Sequence, residues 1–84
     1  MEIYFTKHAR EKFSVLVRHG VRISEKKVRA TIEAPEHIDY SRLPLLIAQA
    51  PLDRLRVSRV VYRVTRNSIV VITFYPGRRL QYER

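Results

Sequence analysis

His8 is the histidine of this sequence that is best placed to transfer a proton. His8 closely follows Thr6, whose hydroxyl can cap a helix, and the spacing of the next apolar residues predicts that a helix begins at Lys7. On this helix Lys12 lies four residues after His8, so the two side chains share a face. Histidine is the residue that most often acts as a general acid or base. His8 is therefore the candidate proton-transfer group, with Lys12 beside it; the alternative is a boundary histidine bonded to its own surroundings.

The carboxy-terminal half of the chain is rich in arginine and aromatic residues. No acidic residue occurs from Arg54 to Tyr82. Guanidinium groups bind phosphate through paired hydrogen bonds, and aromatic rings stack on bases. We therefore predict a surface that binds nucleic acid, although arginine-rich faces also occur as plain solvated surface. The predicted RNA contacts are Lys12, Arg59, Tyr62, Arg63, Tyr75, Arg78 and Arg79.

Metal-free cleavage of RNA needs few protein groups. The ribose 2′-hydroxyl is the nucleophile, so the protein has only to deprotonate it, stabilise the charged phosphorane and protonate the leaving oxygen. DNA lacks that hydroxyl. Thr73 and Tyr75 alternate on one predicted strand and so share a face. Either side chain could donate a hydrogen bond to a phosphate or a base, or serve only as an ordinary strand former.

Other chemistries lack the residues that they need. The chain has no cysteine, no cluster of acids, and glycine only at positions 20 and 77. Thiolate metal sites are excluded, two-metal phosphoryl transfer lacks ligands, and no glycine-rich phosphate loop can form. His8 and His19 would lie about 16 Å apart on one helix, too far to share an ion. We expect neither a metal nor a cofactor.

The composition is that of one small basic domain, spanning residues 1–84. Seventeen lysines and arginines against eight acids give a formal net charge of +9, which favours a polyanionic partner. A chain of this length buries only about 60–65% of its unfolded surface, so a homo-oligomer or a bound partner would help to stabilise it. The sequence shows no membrane-spanning segment and no signal-peptide pattern, and we expect a cytoplasmic protein without membrane contact.

The elements that position these residues are predicted from capping signals and periodicity. Residues 2–5 are β-prone, and a first helix is expected over residues 7–19, with Gly20 at its carboxy-terminal cap. Ser24 caps a second helix over residues 25–33, and Pro35 forces its end. The predicted fold is α+β, with two N-terminal helices packed on a small antiparallel sheet that ends in a β-hairpin.

Strands are predicted beyond the second helix. Residues 45–48 form a short buried-strand candidate, while residues 55–65 and 68–75 are rich in β-branched and aromatic residues. Arg66 and Asn67 between them fit a two-residue hairpin turn.

That turn fixes the predicted register of the hairpin. It places Tyr62 opposite Val71 and Val60 opposite Thr73, with Tyr75 on the same face. The other face would then carry Arg59, Val61, Arg63, Ile72 and Phe74.

Several stretches resemble a family pattern. FTKHAREK at 5–12 and RHGVRISEKKV at 18–28 are similar to the pattern His-Ala-x-x-Arg/Lys … Arg-x-Gly-Ile-Ser-x-x-x-Val of a small bacterial and archaeal family of toxin-like domains. LRV at 55–57, VVYR at 60–63 and IVVITFY at 69–75 resemble the last two strands of that family. These domains are grouped with the barnase, EndoU, colicin and RelE ribonucleases, and the resemblance extends to RelE- or BrnT-like toxins.

The resemblance implies a metal-independent endoribonuclease toxin of a toxin–antitoxin pair. Such a protein cuts free or ribosome-bound RNA and is neutralised by an acidic antitoxin. His8 matches the histidine of helix one, and Lys12 stands where arginine is usual. Arg56 matches the basic residue that opens the third strand, and Thr73 the polar residue of the last strand. The implied catalytic residues are thus His8 for proton transfer, Arg56 for the phosphorane charge and Thr73 as a supporting donor.

Two competing interpretations use the same surface. One is a non-catalytic RNA- or DNA-binding module, and the other is a basic interaction protein that docks an acidic partner. Residues 36–53 depart from the family pattern, and residues 76–79 extend beyond it. Kinship of fold does not by itself establish catalysis.

Overall fold

A sheet and short helices make up residues 1–82, the part of the chain that the structure, a computed structural model, describes. Within these residues the elements number five strands and three helices. In chain order they are β1 (Glu2–Phe5), α1 (Lys7–Arg18), α2 (Glu25–Glu33), β2 (His37–Asp39), β3 (Leu46–Pro51), β4 (Arg56–Val64), β5 (Ser68–Arg78) and α3 (Arg79–Tyr82).

The five strands form one mixed sheet in the order β1-β5-β4-β3-β2. The α+β class is therefore confirmed. The expectation that both helices precede an antiparallel sheet is wrong, because β1 comes before α1 and pairs parallel with β5. Ile3 and Phe5 lie opposite Ile69 and Val71 in this pairing. Their apolar side chains join the core there, which explains why the short first strand is drawn into the sheet.

Helix α1 begins and ends at the predicted caps. The Thr6 hydroxyl accepts a hydrogen bond from the Ala9 amide at 3.1 Å. At the other end Gly20 has φ +79°, a conformation that glycine adopts without strain. The amides of Gly20 and Val21 donate to the carbonyls of Val17 and Leu16, the two bonds of a Schellman motif.

Helix α2 also matches its prediction. The Ser24 hydroxyl accepts from the Lys27 amide at 3.0 Å, and the helix ends at Glu33, ahead of Pro35. Thr31 donates its hydroxyl proton to the Lys27 carbonyl at 2.8 Å, and its oxygen lies 3.2 Å from the Ser58 hydroxyl across the buried interface with β4. Both helices cover the same face of the sheet. The buried core there contains Ala9, Ile23, Val28 and Ile32 with the strand residues Ala48, Val60, Tyr62, Val71 and Phe74.

The β4–β5 hairpin forms with the predicted two-residue turn. The Thr65 amide donates to the Ser68 carbonyl at 2.8 Å, which closes the turn at Arg66 and Asn67.

No helix within residues 1–82 is long and apolar enough to cross a membrane.

The register of the hairpin is correct at its tip and wrong beyond. Tyr62 lies opposite Val71, as predicted. Val60, however, lies opposite Phe74 rather than Thr73, because the pairing is interrupted between Val61 and Tyr62. One extra residue on β5 at this irregularity reverses every later side chain to the other face.

The strands between α2 and β4 were only partly predicted. Strand β3 spans Leu46–Pro51, later and longer than the expected residues 45–48, and the edge strand β2 was not predicted. β2 has only three residues, too few for an alternating pattern to show. β3 continues through Gln49 because β4 pairs with it along its whole length.

Candidate nucleic-acid interface

The face of the sheet opposite the helices, called the open face below, carries several of the predicted site residues. Alternation along β4 and β5 places the paired residues Val61 and Thr73 on this face, next to the core pair Val60 and Phe74. The neighbouring pair on the open face is Arg59 and Tyr75. Thr73 and Tyr75 therefore share a face, as predicted, but it is the face of Arg59.

The three implied catalytic residues lie in different places. His8 is exposed in the first turn of α1, on the helical side of the sheet, whereas Thr73 faces the opposite side. Arg56 opens β4, five residues before Val61, the partner of Thr73. At about 3.3 Å per residue this is a separation of about 17 Å along the strand. The structure does not bring Arg56 and Thr73 into one site.

The Thr73 hydroxyl is nevertheless unusual. Its oxygen is buried and has no hydrogen-bond partner among the residues that the structure describes. A buried hydroxyl without a partner costs free energy, so such atoms call for an explanation. Thr73 lies one residue after Ile72, whose carbonyl accepts from the Thr6 hydroxyl at the start of α1.

Arg59 is held at the centre of the open face by a closed set of contacts. Only 5% of the residue is exposed. Its guanidinium donates to the Tyr75 hydroxyl at 3.1 Å, to the Gln49 side-chain carbonyl at 2.5 Å and to the Asp39 carboxylate at 3.4 Å. The Tyr82 ring covers it, with the guanidinium carbon 4.0 Å from the ring centroid. Arg59 is thus a structural arginine within the sheet.

Asp39 supplies the negative charge of this cluster. Hydrogen bonding from Ser41, and after it from Arg59, lowers the pKa of the Asp39 carboxyl. The carboxylate is therefore ionised at neutral pH and compensates the buried guanidinium.

The remaining predicted RNA contacts are scattered. Tyr62 is 5% exposed in the core beneath the helices, so its ring is not accessible to a base, and burial raises the pKa of its hydroxyl. Lys12 is half-buried on α1, and Arg63 is exposed on β4 near the hairpin tip. Arg78 and Arg79, by contrast, lie together at the far end of the hairpin, next to Arg56.

That end of the hairpin forms an open groove, called the arginine groove below. It lies where the end of β5 and the start of α3 meet the loop before β4. The groove is lined by Asp53, Arg54, Leu55, Arg56, Arg78, Arg79, Leu80 and Gln81. The described residues that line it include four arginines and one aspartate, which together carry a net charge of +3 at neutral pH.

Hydrogen bonds fix the two walls of the arginine groove against each other. The Arg79 amide donates to the Leu55 carbonyl at 2.9 Å, and the Arg79 guanidinium donates to the Asp53 carbonyl at 3.2 Å. Arg56 and Arg78 are directly opposite in the β4–β5 ladder. Like charges in this position repel each other, so an anion bound between them would relieve the repulsion.

Asp53 organises the loop rather than neutralising the groove. One carboxylate oxygen accepts from the amides of Leu55 and Arg56, and the other pairs with the Arg56 guanidinium at 2.8 Å. The bond from Arg56 contributes most to lowering the pKa of Asp53. The negative charge of Asp53 is thus paired with Arg56. No ion pair among the described residues involves Arg54 or Arg78, and both are exposed.

Sequence reasoning missed Arg54, Leu55, Leu80 and Gln81 as site residues. The signal was the recurrence of Arg-Leu beside a second arginine, in residues 54–56 and again in residues 78–80. The last strand was predicted to end at Tyr75, ahead of Pro76 and Gly77. The pairing of the two arginine segments, in which Arg56 lies opposite Arg78, was therefore missed. Residues 1–82 contain no group of three or more His, Cys, Asp or Glu side chains that could hold a metal ion.

No protein-family model matches this chain, and neither does any curated protein or solved structure.

Proposed function

We propose that this chain binds RNA through the arginine groove. The observation that carries the proposal is the convergence of four arginines on one open groove, in which the one acid among the described lining residues is already paired with Arg56. Guanidinium groups grip phosphate oxygens through two parallel bonds, and they keep their charge at every physiological pH. Exposed Arg54 and Arg78 can both turn toward a phosphodiester backbone.

Single-stranded nucleic acid fits the groove better than a duplex does. Proteins that bind single strands combine a basic groove with nearby aromatic rings. Tyr82 follows the groove residues directly and packs on the open face beside Tyr75 and Arg59. The choice of RNA over DNA is supported by the resemblance to ribonuclease domains.

The test of RNA binding is its dependence on salt. Each phosphate neutralised on a single strand contributes about −0.7 to the slope of log K against log salt, so four contacts give a slope of about −3. Filter binding of a single-stranded RNA oligomer at several salt concentrations measures the slope. A flat response would contradict the proposal.

We further propose, as the narrower form of this function, a RelE-like toxin that cleaves RNA without a metal. Support comes from the sequence resemblance and from two helices on one face of a sheet with a long hairpin. His8 retains the role of proton-transfer group. Arg56 belongs to the groove in this proposal and not to a site shared with Thr73.

Cleavage is tested by induced expression with growth and RNA integrity as readouts. A positioned proton-transfer group is worth about 10²- to 10⁴-fold in rate, so His8→Ala should abolish toxicity while RNA affinity changes little. His19→Ala is the matched control, because His19 is an exposed histidine at the other end of α1. Cleavage in vitro should persist in excess EDTA. A harmless parent protein that cuts no RNA would leave binding alone as the function.

A second candidate function is the docking of an acidic protein segment, such as an antitoxin, in the same groove. The observation that favours it is the exposure of two leucines there, Leu55 at 77% and Leu80 at 97%. Phosphate groups make no favourable contact with exposed leucine side chains, whereas the apolar face of an amphipathic acidic segment would cover them. If Leu55→Ser/Leu80→Ser leaves RNA affinity unchanged but weakens capture of a synthetic acidic amphipathic peptide, the groove serves both partners.

A further inference from the structure

We propose that Tyr82 is a positioning residue of the arginine groove, which it serves by fastening α3 to the open face of the sheet. This inference rests on the proposed RNA-binding function. Tyr82 itself is absent from the lining of the groove, whereas the three other residues of α3, residues 79–81, form one of its walls.

The contact that fastens α3 is the stack of the Tyr82 ring on Arg59. Arg59 cannot move aside, because Tyr75, Gln49 and Asp39 hold its guanidinium. It therefore presents a fixed cationic surface to the ring, at 4.0 Å from the centroid. Such cation–π contacts are stronger where water is excluded, as it is around this buried arginine.

The space for the ring is provided by Gly77. A β-carbon placed on Gly77 would lie within 2.4 Å of the Tyr82 ring and 3.4 Å from Val57. Any larger residue at position 77 would therefore push the ring away from the sheet. The role of Gly77 is the close approach of Tyr82, since no positive φ requires a glycine there.

Within residues 1–82, the other contacts that anchor α3 lie at its first residue. The helix has only four residues, Leu80 is 97% exposed, and an isolated helix this short is not stable in water. The bonds that Arg79 donates to Leu55 and Asp53 hold its first residue only. The stacked ring thus fixes the last residue of α3, and the two ends together orient Arg79 toward bound phosphate.

The experiment compares RNA affinity and salt slope for three variants, with thermal unfolding as the check on folding. Tyr82→Phe keeps the stack and should bind within about twofold of the parent. Tyr82→Ala and Gly77→Ala should both lower affinity about fivefold, and their salt slopes should become less negative by about 0.7, equivalent to one phosphate contact. A merely structural role would not change the slope.

A double-mutant cycle identifies the residue through which Tyr82 acts. Tyr82→Ala combined with Arg79→Ala should weaken binding no more than Arg79→Ala alone, because both changes remove the same contact. When Tyr82→Ala is combined with Arg54→Ala, on the opposite wall, the two reductions in RNA affinity should multiply.

Two results would overturn the inference. One is that Tyr82→Ala and Gly77→Ala bind RNA as the parent does, while removal of Arg54 and Arg78 weakens binding; the proposed function would then survive without it. The other is multiplicative effects for Tyr82→Ala with Arg79→Ala. If Tyr82→Ala fails to fold, Gly77→Ala decides, since it keeps every side chain that the ring contacts.

Discussion

Arg59 and the arginines of the groove show the same residue type in opposite circumstances. Arg59 lies at the centre of the open face, 5% exposed, with Asp39, Gln49 and Tyr75 as partners and a ring above it. Arg54 and Arg78 lie at the end of the hairpin, exposed and outside every ion pair between described residues.

The difference comes from what the neighbouring strands place beside each arginine. Gln49 and Tyr75 flank Arg59 in the register, so its donors are satisfied within the sheet. Arg56 and Arg78 face each other, and among the ion pairs of residues 1–82 only Arg56 has a carboxylate partner. Counting arginines in a sequence therefore overstates the binding surface, because some of them are internal supports.

The largest expected effect is that of Arg59→Ala on stability. Removing this guanidinium leaves the Asp39 carboxylate with Ser41 but without its cation, takes the donor away from the Gln49 carbonyl and uncovers the space beneath Tyr82. Breaking a buried pair from one side costs several kcal/mol, and we expect a loss of about 3 kcal/mol in the free energy of unfolding by urea.

Arg54→Ala is the matched control for this comparison. An exposed arginine outside an ion pair should change the free energy of unfolding by less than about 0.5 kcal/mol. The comparison breaks down if Arg59→Ala is as stable as Arg54→Ala and loses RNA affinity instead, since Arg59 would then be a binding residue.

Acid should weaken both regions, with a smaller effect. The pKa values of Asp39 and Asp53 are lowered, chiefly by hydrogen bonds from Ser41 and Arg56 respectively. Carboxylates of this kind stabilise the fold above their unfolded pKa, near 4, and the stabilisation disappears as pH falls through the lower folded value. The midpoint temperature of thermal unfolding should therefore fall when the pH is lowered below about 4. An Asp39→Asn/Asp53→Asn variant, although less stable at pH 7, should show a shallower drop; an unchanged drop would exclude these groups.

A smaller stability change than that of Arg59→Ala is predicted for Thr73→Val, and it is a gain. Valine has nearly the same shape and removes the buried hydroxyl, which has no hydrogen-bond partner in the described part of the chain. We expect the free energy of unfolding to rise by about 1 kcal/mol. Destabilisation would show that the hydroxyl is satisfied in solution. Loss of RNA cleavage in a stabilised variant would mark Thr73 as a functional residue.

The elements that local sequence determines could be predicted. The caps at Thr6, Ser24 and Gly20 act within five residues, and the turn at Arg66 and Asn67 is equally local, so all of them were placed correctly. The parallel pairing of β1 with β5 joins residues 66 positions apart in the chain. Nothing in a short window encodes such a pairing.

The site was predicted in its residue types and not in its arrangement. Arg78 and Arg79 were expected to bind RNA, and they lie in the groove. Because of one irregularity in the β4–β5 pairing, Tyr75 lies on the face of Arg59 and not on the predicted face of Tyr62. No local sequence pattern indicates this irregularity. The burial of Arg59 depends on Asp39 in β2, a strand too short to recognise.

The central claim, that RNA is bound by the arginine groove and not by net charge alone, is tested most directly by two double variants of equal charge. Arg54→Ala/Arg78→Ala alters the groove, and Arg18→Ala/Arg22→Ala removes two exposed arginines around the α1–α2 connection. The groove variant should bind single-stranded RNA about tenfold more weakly, with a salt slope less negative by about 1.4, while the control stays within twofold of the parent. Equal weakening of both variants, or a groove variant that binds like the parent, would contradict the claim.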